Sequence, residues 1–178
     1  MLLDLVENND RIERMLCEMF DALMNCTDRP HDDTERTGIQ CCIKIPHGEI
    51  IMPKAYNPSV VNIHLASEKI VRAYEHGYYS SRVDADFVRG EYPGGLVIYP
   101  GNIYSPDNNL QIHCGTDGME NDENEMISFV LLTQSLKSKN VLPGNVLRMI
   151  YPDERAVPAF ITDTKWYIWK TLFPFCSY

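Results

Sequence analysis

The chain has 178 residues, with Lys+Arg 16 against Asp+Glu 25 and a formal net charge of −9. That length suits one domain able to bury a core without disulfide or metal staples. Nucleic acid and anionic lipid need clustered Lys/Arg, which a uniformly acidic chain lacks, and no stretch approaches the ~20 apolar residues of a bilayer span. Neither nucleic acid nor a membrane is therefore an expected partner.

The opening "MLLDLVENNDRIERM" lacks a basic n-region and a long apolar run, so it does not read as a signal peptide. Cys17, Cys26, Cys41, Cys42, Cys114 and Cys176 form no C-x-x-C pair, which predicts free thiols in a reducing cytoplasm. Ile12, Met15, Leu16, Met19, Phe20 and Leu23 follow the i, i+3, i+4 spacing of one helix face, predicting a helix over 10–25 that starts at Asp10 and Glu13. "TDRPHDDTERTG" (27–38) reads as a solvated polar connector. "GIQCCIKI" alternates, with Ile39, Cys41, Ile43 and Ile45 on one face, and "PHGE" turns the chain back, predicting a hairpin over 39–52. The same alternation sends vicinal Cys41 and Cys42 to opposite faces, one into the core and one outward.

A second helix is expected over 57–77, with Ile63, Ala66, Ile70 and Ala73 as its buried stripe, His64 beside the stripe, and His76 and Gly77 at its C-terminus. "YPGGLVIYPGNIY" reads as a Gly/Pro-punctuated strand followed by a short one. "SPDNN" is a turn, and Leu110–Cys114 pairs back antiparallel. A third helix follows to about Lys137, capped by Asp122 and Glu125, with Met126, Ile127, Phe129, Val130 and Leu131 as a broad apolar face. The tail, 141–178, reads as short strands in "VLRMIY", "PAFIT" and "KWYIWKTLF" and holds both tryptophans. The order predicts an α+β domain, a largely antiparallel sheet with helices packed against it.

The chemistry-bearing candidates mostly dissolve under strand alternation. His113 and Cys114 are adjacent and so project oppositely, which makes them a poor base and nucleophile pair. "GMENDENE" lacks the order of an EF-hand loop and is explained by capping and the helix dipole. "HGE" (47–49) has no following P-C-x-x-C and reads as a turn rather than a zinc deaminase motif. "GEYPGGLVIYPGN" matches no phosphate loop, and no G-x-S-x-G elbow occurs. Neither a metal site nor a catalytic constellation is expected.

Three segments in succession, "HLASEKIVRAYEHG", "YPGGLVIYPGNIY" and "LQIHCGTDGMENDENEMIS", resemble the GlcG/HbpS-like family, which includes the C-terminal haem-binding domain of PduO-type adenosyltransferases. Ala66, Lys69 and Ala73 match its A-x-x-K-A-x-T-A-like helix, and Glu120, Asp122 and Glu123 align with the acidic start of its last helix. "IQCCIKIPHGEII" fits its first hairpin without the usual aspartate, and His113 and Cys114 replace small residues. The resemblance covers residues 10–138. It implies a profilin-like α/β/α fold with a central sheet of about five strands. Residues 1–140 then form the domain, and 141–178 a short β and aromatic extension on the same domain or a neighbouring subunit. It also implies a non-catalytic, homo-oligomeric binding domain for a small molecule, with haem or a cobalamin-pathway compound as the candidate ligand. A protein-assembly module and an enzyme with an inter-subunit pocket are the rival readings. The ligand-contact residues to examine are His113, then Lys69, His64 and His76, then Gly94 and Gly95, where backbone can approach closely.

Overall fold

A computed structural model describes residues 9–44, 50–76, 95–98, 112–136, 142–150, 159–161 and 164–177. Helix α1 spans Asn9–Met24 and buries Ile12, Met15, Leu16, Met19 and Leu23 on one face, as their spacing requires. Strands β1 (Gln40–Lys44) and β2 (Ile50–Ile51) follow, then α2 (Val60–His76), β3 (Gly95–Ile98), β4 (Ile112–Asp117) and α3 (Asn121–Leu136). The chain ends in α4 (Pro143–Ile150), a 3-10 turn (Ala159–Ile161), α5 (Trp166–Leu172) and a second 3-10 turn (Phe173–Ser177). The class is α+β.

Among the described residues the sheet has order β2-β1-β4-β3 with every pairing antiparallel. Three strands carry it, and β2 adds only two residues at the edge. That is four strands against an expected five. The "SPDNN" turn, the short strand after Pro100, the "PHGE" turn and Gly94 lie outside the described residues.

Period-2 alternation assigns the two sheet faces. In the β1–β4 register Gln40 faces Asp117, Cys42 faces Gly115 and Lys44 faces His113, all on the side covered by α2. Cys41, Ile43, Cys114 and Thr116 take the other side, where α3 lies, and Thr116 and Ser128 hydroxyls pair at 2.7 Å. Cys42 is not outward as expected: it is buried with Ala66 and Ile70, because α2 covers that face as well. The main core forms on the α3 side and collects α1, α3, α4, α5 and both 3-10 turns. Gly115 lets α2 approach β4, since a Cβ there would stand 2.5 Å from the Ala66 carbonyl.

The C-terminal segment corrects the sequence reading, because its described residues are helical and not β. Short apolar runs fit both periods, and here the helical one wins. Pro143 begins α4, where its missing N–H is no loss, and Tyr167, Ile168 and Leu172 form the buried face of α5. Helix α5 packs on α1 and α3. Trp169 stacks on Phe173 with ring centroids 4.6 Å apart, and on Phe160 at 6.2 Å. Phe160, Tyr167, Trp169, Phe173 and Phe175 thus pack into or against this chain's own core.

Candidate functional site

The polar residues of interest gather where β4 leaves the sheet and α3 begins. On the α2 side, Lys69 is drawn in beneath the helix with its side chain 1% exposed. Its Nζ donates to the Thr116 carbonyl at 2.6 Å and to Asp117 Oδ1 at 2.8 Å. Burial pushes the ammonium pKa down, opposed by the Asp117 charge and hydrogen bond. Asn62 Nδ2 donates to Asp117 Oδ2 at 2.8 Å. Asn62 also closes the start of α2: its Oδ1 accepts from Ser59 N at 2.9 Å, while its own N–H donates to Ser59 Oγ at 3.1 Å. One helix cap and one buried ion pair therefore fix α2 against the end of β4. Lys69, which the stripe did not include, is buried beside Ala66 and Ile70, whereas Ile63, which it did include, is exposed; the Ala73 side chain is not among those described.

On the α3 side the centre is Glu123, fully buried. It accepts from Arg29 Nε at 2.6 Å, Arg29 Nη2 at 3.1 Å, the Tyr167 hydroxyl at 2.8 Å and Glu120 N at 3.1 Å. Glu120 and Glu123 thus supply the α3 cap in place of the expected Asp122 and Glu125. The Glu123 hydrogen bond drives the Arg29 pKa up against burial, while burial, reinforced by Glu123, raises Tyr167. Asp32 bridges Arg29 and Arg36, and Arg36 holds its carboxyl well below the usual range. The connector 27–38 is largely exposed, as its composition predicts, but Arg29 on Glu123 and Arg36 on the Gly118 carbonyl anchor it at two points.

His113 is fully buried on the α2 side, facing Lys44 across the ladder. Burial and then the Lys44 charge lower its pKa to about 4, so the ring is neutral at pH 7. It does not stand on an open face as the alternation alone suggested, since α2 closes over it. Cys114 projects to the other face, and burial pushes its thiol up to about 12. Cys42 is pushed up to about 11 by burial, and Cys176 to about 12. Burial thus keeps these thiols protonated at neutral pH, and Cys114, on the face opposite His113, forms no nucleophilic pair with it.

The other expected contacts separate. His64 lies on the solvent side of α2, away from Lys69 and His113. His76 ends α2, with a side chain outside those described, and Gly95 begins β3 opposite Gly115. The structure thus brings Lys69 and His113 under one helix and leaves His64 outside. No cluster of three or more His, Cys, Asp or Glu suited to a metal ion occurs among the described residues. Nor is any described helix long and apolar enough to cross a membrane. A groove of about 320 Å³ runs along α1, lined by Asp10, Glu13, Arg14, Cys17 and Tyr56. Its Glu13 is engaged by Lys54 at 2.7 Å.

No family model, no curated protein and no solved structure matches this chain. The GlcG/HbpS-like resemblance therefore rests on its motifs alone.

Two features escaped the sequence reading. The partners of Asp117 and Glu123 come from distant segments, although S-x-x-N at 59–62 is readable as a cap. The other feature is the outer face of α2, where Val60 is 82%, Val61 61% and Val71 39% exposed around the exposed His64. Ile63, 37% exposed, lies on the same helix, while Leu142 and Trp166 are exposed elsewhere.

Proposed function

We propose that this chain is a non-catalytic binding domain that works as a homo-oligomer and binds through the outer face of α2. The observation that carries this reading is the division of that helix. Its inner face is locked by Lys69 onto Asp117, while its outer face presents three valines and a histidine to solvent. Val60 and Val61 at the start of the helix and Val71 three turns on lie on one side of it, and apolar side chains gathered on one face mark an interaction site. The exposed fractions of Val60, Val61 and Val71 amount to about two whole side chains, or roughly 3–6 kcal/mol of gross burial per copy. Against the cost of association that predicts weak, reversible contacts. The described polar groups at the β4 exit are engaged in buried pairs, which suits a binding role better than acid–base chemistry. All six cysteines are free, which fits a reducing compartment.

A flat apolar ligand with a metal centre, haem included, would use the same surface. A haem ligated by His113 does not fit, because that ring is sealed between β4 and α2. His64 fits better, being exposed and flanked by valines. Hemin titration tests this arm: a saturable Soret shift should be lost in His64→Ala and kept in His113→Ala. A shift lost only in His113→Ala, or none in the wild type, overturns haem binding at α2.

A further inference from the structure

Resting on the homo-oligomeric reading above, we infer that a second copy of this chain covers the outer face of α2. The two helices pair antiparallel about a two-fold axis level with Ala66. A symmetric contact requires that residue i meet j while j meets i. The outer positions of α2 meet that requirement. Val61 and Val71 lie five residues either side of Ala66, and His64 and Glu68 two either side. At a helix rise of 1.5 Å, the first pair lies about 7.5 Å from the axis and the second about 3 Å. One register therefore sets Val61 against Val71 twice and His64 against Glu68 twice, an imidazole N–H donating to the Glu68 carboxylate each time.

Charge selects the antiparallel arrangement. Between Val60 and Val71 the only ionisable acid or base besides His64 is Glu68, together with Lys69, which is buried and bound to Asp117. This is a nearly uncharged window on a chain of net charge −9, where self-repulsion opposes contact elsewhere. A parallel pair would set Glu68 on Glu68 and His64 on His64, whereas the antiparallel pair makes each charge meet a donor. Twelve helical residues offer a face only about 18 Å long. This is small against the ~1,200–2,000 Å² of stable interfaces, so the pair exchanges readily and forms at high micromolar concentration.

Sedimentation velocity of the full chain, from low micromolar to several hundred micromolar, tests the register. The wild type should shift from monomer to dimer. Val61→Asp should weaken association at least about tenfold, and so should His64→Glu, which sets like charges opposite one another. The double variant His64→Glu with Glu68→His exchanges the two partners and should restore association to within about threefold of wild type. All these side chains are at least partly exposed, and circular dichroism confirms that each variant is folded. A wild type monomeric at every concentration overturns both this pairing and the homo-oligomeric reading. A dimer indifferent to Val61→Asp overturns the α2 surface but leaves the homo-oligomer standing. Loss in Val61→Asp without rescue by the double variant overturns the antiparallel register.

Discussion

The Lys69–Asp117 pair makes an asymmetric prediction. Lys69→Met keeps most of the stem packing and strands Asp117, whose side chain is 13% exposed and keeps its hydrogen bond from Asn62. Asp117→Asn strands an ammonium that is 1% exposed and keeps only the Thr116 carbonyl and the new amide oxygen. Removing one partner of a buried pair costs about 3–5 kcal/mol; Lys69→Met should fall at or below the low end of that range and Asp117→Asn near the top. A ceiling applies to the second variant, because the lysine can shed its proton. Neutralising an ordinary lysine at pH 7 costs about 4.6 kcal/mol, and this falls by about 1.4 kcal/mol for each pH unit upward. The Lys69 pKa is already depressed in the native protein, and losing Asp117 depresses it further. Stability so lost is therefore regained as pH rises toward the unfolded-state value. Urea denaturation followed by tryptophan fluorescence at pH 7 and pH 9 measures it, and Asp117→Asn should recover about 2 kcal/mol at the higher pH. Equal costs for the two variants, or an Asp117→Asn penalty independent of pH, would refute the claim that Lys69 is enclosed and charged.

Two further outcomes follow from the same burial. His113 has a folded pKa lowered to about 4 from an ordinary 6.5, so its stabilising contribution is complete above pH 6.5 and is lost as pH falls toward 4. That loss amounts to about 3 kcal/mol. Titrating urea midpoints of wild type and His113→Gln across this window should show the variant with a shallower slope; parallel curves would contradict a buried neutral imidazole. At Glu123, Arg29→Met should cost about 3–5 kcal/mol by leaving a fully buried carboxylate without its cation. Tyr167→Phe removes one hydrogen bond and should cost about 1–2 kcal/mol. Denaturation midpoints in the reverse order would place the anchoring of the 27–38 connector elsewhere.

Local periodicity made much of the framework legible. The apolar spacing of Ile12 to Leu23 predicts α1 and its buried face. Alternation at Ile39–Ile43 predicts β1, and the same rule correctly parts His113 from Cys114. What it could not give is which faces are covered. Both sides of β4 are buried, so Cys42 and His113 are interior where alternation alone leaves them outward. The ion pairs Lys69–Asp117 and Arg29–Glu123 join residues 48 and 94 positions apart, and no local pattern encodes them. In the tail, runs such as "KWYIWKTLF" carry too few residues to distinguish a period of 2 from 3.6, and packing against α1 and α3 decides for helix. As for the site, the sequence singled out Lys69, His64 and His113 but not the contrast between them, which depends on the orientation of α2.

Binding through the outer face of α2 is open to methyl NMR of valine-labelled protein, recorded as concentration rises. Val60, Val61 and Val71 methyls should shift and broaden together, while the buried Val130 and Val146 methyls hold their positions. Concentration-dependent shifts confined to other residues, with the α2 valines unmoved, would contradict the account.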